Sequence, residues 1–261
     1  MGLAETDISK VFDNRDFGYY KLTIERPLRL AAQFTPERIA ALRFHPALVE
    51  VMEWAYGKYG EAVYAGLADH AETIENHLER EEISLSPRNR KELLLPSIWQ
   101  EQKSIMEKAE KLMGFIGQNL SLDFNAFVKE LDAAVDMLGS KLPATERKQI
   151  LNAISWREET AAKVIKKTHS LTGKKLKERL TELRTEAEHL ADFGLWPNEK
   201  AGEYIEYETD SELRDTENEP LKDDIHGYFL REVRPHVASN SHFGAEAVIP
   251  AWTAGIQCHG R

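Results

Sequence analysis

Hydrophobic and polar positions alternate in one short stretch near the start of the chain. Apolar Leu22 and Ile24 are separated by polar Lys21 and Thr23. A period of two that uses β-branched residues predicts a β-strand. Pro27 has no N–H to give to a ladder, so pairing is expected to break or to move to an edge there. Since one strand cannot form a sheet, we expect its partners to be missing from the chain or to come from another copy or another protein.

Beyond this strand, apolar residues recur at helical spacing. Thr35-Pro36-Glu37 is expected to open a helix, because threonine caps free N–H groups, proline suits the first turn and glutamate favours the positive helix end. Over residues 123–138 apolar side chains recur every three or four positions, and the pattern stops at Gly139. This spacing predicts an amphipathic helix that ends at a glycine.

The second half of the chain is more polar. Residues 174–192 are rich in Glu, Lys and Leu and predict a long helical arm. Asn218-Glu219-Pro220 is expected to start a last helix that ends near Pro235. No clear period follows, so the end of the chain is expected to be irregular.

Together these patterns predict a mainly α protein. It would be a helical bundle with a single N-terminal β-strand or small hairpin and a long helical arm at 174–192. The expected divisions are a strand region (1–34), a helical domain (35–172), a polar helical arm (173–202), an acidic linker with the C-terminal helix (203–237) and an irregular tail (238–261).

Charge is distributed unevenly along the chain, which has a net charge of −10. Residues 163–179 hold seven Lys or Arg against one Glu, and residues 203–224 hold ten acidic residues against two basic ones. The basic segment is expected to bind phosphates, to neutralise the acidic segment or to be solvated. We favour neutralisation or solvation, because the aromatic side chains that interleave with charges in single-strand binding sites are missing.

Cysteine content and hydropathy limit where the protein acts. The chain has one cysteine, Cys258, so it cannot form an internal disulfide, and this fits a reducing, cytoplasmic setting. The acidic N-terminus lacks the apolar core of a signal peptide. No apolar run approaches the roughly 20 residues that span a membrane.

Three segments have a recognisable pattern in a fixed order. They are residues 11–30 (VFDNRDFGYYKLTIERPLRL), residues 151–161 (LNAISWREETA) and residues 211–237 (SELRDTENEPLKDDIHGYFLREVRPHV). The first resembles the stretch where the catalytic domain of type I restriction–modification DNA methyltransferase (M) subunits ends. The last is similar to the C-terminal motif of that family.

This resemblance implies a function in adenine-N6 methylation of DNA. The family uses S-adenosylmethionine, and its M subunits assemble with a specificity subunit, with a restriction subunit and with DNA. The target adenine would be flipped out of the duplex, because its amino group is not reachable within the stack. Residues 1–34 would then be the remnant that borders a missing catalytic domain.

The chain departs from the family in its catalytic motifs and at its end. It contains no Asn-Pro-Pro-aromatic motif, which holds the flipped base in the family, and no Gly-x-Gly, which lets a cofactor approach the backbone. We therefore predict no catalytic and no cofactor-binding residue, and no methyltransferase activity by the chain alone. The sequence after Val237 also differs from the usual ending of the family.

Two sets of polar residues are candidates for contacts. The predicted docking residues for the specificity subunit are Arg214, Asp215, Thr216, Glu217 and Asn218. An alternative is that Asn218 caps the last helix and the acidic residues favour its N-terminus. The predicted DNA contacts are Lys21, Arg26 and Arg29, and the alternative is that they are solvated side chains of the strand.

One segment resembles half of a metal-binding pattern. Residues 186–189 (Glu-Ala-Glu-His) fit half of a di-iron helix motif, but a second copy and further glutamate ligands are missing. The sequence therefore predicts no metal site.

Three functions remain open from the sequence. The chain is a subunit-docking and DNA-clamping region, or one half of a split methyltransferase that is active with an upstream catalytic polypeptide, or a stand-alone helical gene remnant. The resemblance and the missing catalytic motifs favour the first.

Overall fold

The computed structural model describes residues 17–139, 141–233, 235 and 248–256. The chain divides into two compact units. The discontinuous unit comprises residues 1–30 and 157–261, and the helical unit comprises residues 31–156. In the part of the chain described, no helix combines the length and the apolar character needed to cross a lipid bilayer.

The helical unit follows the predicted spacing closely. Its described helices are α1 (Pro36–Ala41), α2 (Val49–Tyr59), α3 (Ala62–Arg80), α4 (Pro87–Leu93), α5 (Pro96–Ile116), α6 (Phe124–Met137) and α7 (Ala144–Ile154). The predicted start of α1 is confirmed, because the Thr35 side chain accepts a hydrogen bond from the N–H of Arg38. The predicted end of α6 is also confirmed, since Gly139 adopts a positive φ of 59° just after it.

Two hydrophobic cores hold the helical unit together. Helices α1, α5, α6 and α7 enclose one core around Ile105, Leu131 and Ile150. Helices α2, α3 and α4 pack around the fully buried Trp99 at the start of α5. The indole N–H of Trp99 donates to the carbonyl of Leu93 at 2.8 Å, so its polar atom is satisfied in the core.

The discontinuous unit combines sheets with short helices. Its regular elements are β1 (Gly18–Glu25), β4 (Ile165–Ser170), α8 (Gly173–Leu183), β5 (Trp196–Pro197), β6 (Glu203–Tyr207), β7 (Asp215–Pro220), α9 (Ile225–Tyr228) and β8 (Val248–Ile256). Two 3-10 segments (Ala187–Phe193 and Ser211–Leu213) and a π-helical turn (Phe229–Val233) complete it. One sheet has the order β7-β1-β8 and another has the order β4-β6-β5. A further two-stranded sheet, most of whose residues belong to the helical unit, pairs β2 (Leu30–Ala32) with β3 (Ser155–Arg157).

The prediction of a mainly α bundle with a single N-terminal strand is wrong. The described residues contain three small sheets beside the helices, so the fold is mixed α and β. The partners of β1 are also not missing, because β7 and β8 of the same chain pair with it on either side in antiparallel fashion. The predicted break before Pro27 is confirmed, since β1 ends at Glu25 and Pro27 itself forms an isolated antiparallel bridge with Thr209, which belongs to neither β6 nor β7.

The predicted long arm at 174–192 is also wrong. Helix α8 ends at Leu183, and Arg184 takes the left-handed conformation with φ 51° and ψ 43°. A backbone in this region cannot continue a right-handed helix. The N–H of Arg184 turns back onto carbonyls of α8, and the chain continues as the 3-10 segment Ala187–Phe193.

The end of the chain differs from the prediction at two places. Asn218 lies in strand β7, so it does not cap the last helix. That role belongs to Asp224, whose side chain accepts from the N–H of Gly227 at 2.7 Å, and the helix begins at Ile225. The expected irregular tail, 238–261, contains strand β8 at 248–256.

Candidate docking surface

Pairing of β1 with β7 brings the two sets of predicted contact residues together. Lys21 is opposite Asn218, and Thr23 is opposite Thr216. Residues directly opposite in an antiparallel pair point to the same face of the sheet. Lys21, Thr216 and Asn218 are exposed and Thr23 is half-buried. We call these four side chains the outer face; it joins one predicted DNA contact to two predicted docking residues.

The opposite side of β1 anchors the sheet. Leu22 and Ile24 are buried and pack against Ile225, Phe229 and Val233. Burial of one such aliphatic side chain contributes about 1.5–3 kcal/mol relative to leaving it exposed. Packing of Leu22 and Ile24 therefore holds β1, and with it the outer face, in a fixed position.

The acidic residues of β7 lie behind the outer face. Asp215 is opposite Ile24 and Glu217 is opposite Leu22, so both belong to the inner side of the sheet. The hydroxyl of Tyr228 donates to Glu217 at 3.3 Å. Burial raises the pKa of Tyr228, and nearby acidic groups raise it further. Glu217 therefore forms a contact within the discontinuous unit, whereas Thr216 and Asn218 lie on the opposite, outer face of the sheet.

Arg214 forms an ion pair at the end of the β1–β7 ladder. Its Nε donates to Oε1 of Glu25 at 2.6 Å. The Glu25 side chain is 8% exposed and that of Arg214 is 48% exposed. A nearly buried carboxylate needs such a donor, because a charge without a partner is costly to desolvate. Arg214 thus fixes the start of β7.

The predicted DNA contacts Arg26 and Arg29 are half-buried, in contrast to the exposed Lys21. Their guanidinium groups donate to the carbonyls of Leu213 at 2.9 Å and of Ala161 at 2.6 Å. Arg29 also lines a cavity of about 320 Å³ whose charged groups are two arginines and four carboxylates. Excess negative charge repels phosphate, so Lys21 is the predicted DNA contact that is best placed.

The basic segment 163–179 is partly neutralised by the acidic segment. In the β4–β6 pair, Lys166 lies 2.7 Å from Glu206 and the His169 ring lies 2.6 Å from the same carboxylate. Burial alone would raise the pKa of Glu206, but hydrogen bonds from Lys166 and His169 lower it below its ordinary value. These contacts favour self-neutralisation over phosphate binding for this part of the segment.

One cluster in the discontinuous unit has the side chains of a metal site. His189, Asp192 and His226 each place a ligand atom within 4.8 Å of the others. Nε2 of His226 lies 3.0 Å from Oδ2 of Asp192, and Nδ1 of His189 lies 3.7 Å from the same oxygen. Nitrogen and oxygen donors of this kind suit divalent transition metals.

Sequence patterns missed two residues that matter to this unit. Glu25 falls on the polar side of the predicted strand, yet it is buried as the partner of Arg214. His226 joins the histidine–aspartate cluster from a separate helix. Neither carries a local signal, since both roles depend on pairing between distant segments.

Comparisons of the chain with known protein families, with characterised proteins and with solved structures found no match.

Proposed function

We propose that this chain is the C-terminal docking region of a type I restriction–modification adenine-N6 DNA methyltransferase subunit. In that role it holds the methyltransferase to its specificity subunit and helps to close the complex around DNA. One observation carries the proposal: two of the segments that resemble this family, residues 11–30 and 211–237, contain β1 and β7, which pair in one sheet.

The chemistry of the outer face supports a docking role. It offers one ammonium group, two hydroxyl groups and one amide, all of which form hydrogen bonds to a protein partner. Strand β7 is an edge of the described sheet β7-β1-β8. An edge strand presents backbone donors and acceptors to which a strand of a partner adds.

The other parts of the proposal follow from the resemblance. The chain itself carries out no methylation, and S-adenosylmethionine binds to a catalytic domain supplied by the rest of the subunit. The restriction subunit joins the larger complex, and Lys21 contacts DNA phosphates there. The single cysteine, Cys258, fits a complex that works in the reducing cytoplasm.

The test is a binding measurement with a type I specificity subunit from the same genome. The double variant Thr216→Arg/Asn218→Arg puts two long charged side chains on the outer face. The matched control is Lys174→Glu, a charge change on an exposed side chain of α8 in the same unit. Isothermal titration calorimetry gives the Kd of each protein, and circular dichroism checks that each is folded.

We expect wild type and Lys174→Glu to bind with equal Kd. The outer-face variant should bind at least about tenfold more weakly, which is 1.4 kcal/mol. Absence of binding by the wild type, or equal Kd values for all three proteins, would contradict the proposal. Tight binding of S-adenosylmethionine by the chain alone, measured in the same calorimeter, would contradict its non-catalytic part.

A further inference from the structure

A cluster of two histidines and one aspartate lies in the discontinuous unit, and its His226 belongs to α9, which packs against the inner side of β1. We propose that His189, Asp192 and His226 bind one divalent transition-metal ion, for which zinc is the best match. The ion would tie the 3-10 segment Ala187–Phe193 to helix α9. This inference does not depend on the proposed docking function.

Local structure explains why the three side chains converge. His189 and Asp192 are three residues apart in a 3-10 segment, and positions i and i+3 of such a helix lie on the same side. His226 is the second residue of α9, whose start is fixed by the Asp224 cap. Its ring and that of His189 have centroids 4.5 Å apart.

The spacing of the ligand atoms fits zinc. Zn–N and Zn–O bonds of about 2.0–2.2 Å at tetrahedral angles put neighbouring ligand atoms about 3.3 Å apart. The distances from Oδ2 of Asp192 to His226 Nε2, 3.0 Å, and to His189 Nδ1, 3.7 Å, lie on either side of this value. The donor atoms of the two histidines lie within 4.8 Å of each other, so rotations of these side chains would bring all three atoms onto one ion.

A second carboxylate supports the same assignment. Nδ1 of His189 faces Asp192, while its other ring nitrogen, Nε2, lies 3.4 Å from Oε1 of Glu188. Histidines that bind metals usually donate their second N–H to a carboxylate, which orients the ring and makes the ligand more basic. In His189 a carboxylate lies 3.4 Å from the second ring nitrogen, near enough to accept this hydrogen bond after a small rotation.

Burial and charge favour binding of a cation here. The side chains of His226 and Asp192 are 15% and 16% exposed, and that of His189 is 37% exposed, so one side of the cluster opens to solvent. Three protein ligands leave a fourth position for water, as in zinc sites that keep an open position. Two imidazoles select against magnesium and calcium, which prefer oxygen ligands.

The ion would stabilise the sheet β7-β1-β8 on its inner side, where α9 packs against β1. The 3-10 segment belongs to a small core with Leu183 and Leu195, whereas α9 belongs to the core beneath β1. A metal bound by both elements links these two cores, and metal binding to the folded state alone adds to folding stability.

The test uses the full chain with Cys258→Ser, which removes the only thiol as a competing ligand. The protein is freed of metal with a chelator, and Zn²⁺ binding is measured by competition with a chromophoric chelator. Asp192→Asn keeps the shape of the side chain and weakens a ligand, and His189→Gln removes the most exposed ligand. The matched control is His169→Gln, a histidine of the same unit that pairs with Glu206.

We expect one Zn²⁺ per chain and a rise of Tm with Zn²⁺ but not with Mg²⁺. Asp192→Asn and His189→Gln should each weaken binding by at least about tenfold, since loss of a supporting group alone costs 10–100-fold. The control should bind as the parent does. If Asp192→Asn does not fold, His189→Gln decides. Failure of the parent to bind Zn²⁺, or undiminished binding by His189→Gln, would overturn the proposal.

Discussion

The ion pair between Arg214 and Glu25 allows a quantitative prediction for the β1–β7 ladder. Arg214→Ala leaves a carboxylate that is 8% exposed without its main donor. Removal of one partner from a fully buried pair costs about 3–5 kcal/mol, and loss of an exposed pair costs about 0–1 kcal/mol. Because the Arg214 side chain is 48% exposed, we expect a cost between these limits, about 2 kcal/mol.

The consequence should be local opening of the sheet. A cost of about 2 kcal/mol raises the open fraction roughly 30-fold. Hydrogen exchange measured by mass spectrometry reads this directly in peptides that cover β1 and β7. Peptides from α6 in the helical unit provide an internal control, and their exchange should not change. Arg88→Ala, which breaks an exposed pair with Glu92, is the matched control variant.

A double-mutant cycle shows whether the pair itself is responsible. Glu25→Gln removes the buried charge, so Arg214→Ala should cost clearly less in that background than in the wild type. Unchanged exchange of β1 in Arg214→Ala would refute the reasoning. An equal effect of Arg214→Ala in both backgrounds would show that the arginine acts through other contacts.

Three further predictions concern single side chains. Arg184→Gly should raise the free energy of unfolding by up to about 1 kcal/mol in urea titrations, because glycine adopts the left-handed conformation without strain; a loss of stability would contradict this. Burial raises the pKa of Glu219 above its ordinary value of 4.5, so folding favours the protonated form. Glu219→Gln should therefore stabilise the protein at pH 7, and the gain should vanish as the pH falls below 4.5; an equal gain at both pH values would argue against the cause. In an assembled complex, Lys21→Ala should reduce the slope of log K against log salt for DNA binding by about 1, whereas an unchanged slope would exclude this contact.

Local patterns predicted the helical unit because its elements are fixed by local signals. Thr35 caps α1, and the apolar stripe before Gly139 forms α6, as the sequence indicates. Strand β1 was also predicted from its sequence, since Leu22 and Ile24 alternate with polar residues. Both side chains are buried in the structure. In each case the burial pattern of the element follows its own spacing.

Strand β7 could not be predicted from its own residues. Its sequence, Asp-Thr-Glu-Asn-Glu-Pro, has no apolar alternation and low β-propensity. It becomes a strand because β1 supplies the backbone partners and Arg214 joins Glu25 at the end of the ladder. Tertiary pairing of this kind overrides local propensity.

For helix α8 the local composition predicted a longer helix than the structure contains. Residues 174–192 have a helical composition throughout, but the left-handed Arg184 ends the helix and lets Leu190 and Phe193 join a core with Leu183. The sequence therefore indicated the start of α8 but not its end. The turn at Arg184 also positions His189 for its cluster with His226, and no local sequence motif predicted this cluster.

The most direct test of the docking role is a hydrogen-exchange footprint of the chain with and without a type I specificity subunit. We expect added protection in peptides from β7 (Asp215–Pro220) and β1 (Gly18–Glu25), and no change in α2 or α3 of the helical unit. A complex that protects the helical unit and leaves β1 and β7 unchanged would contradict the claim that this sheet is the docking surface.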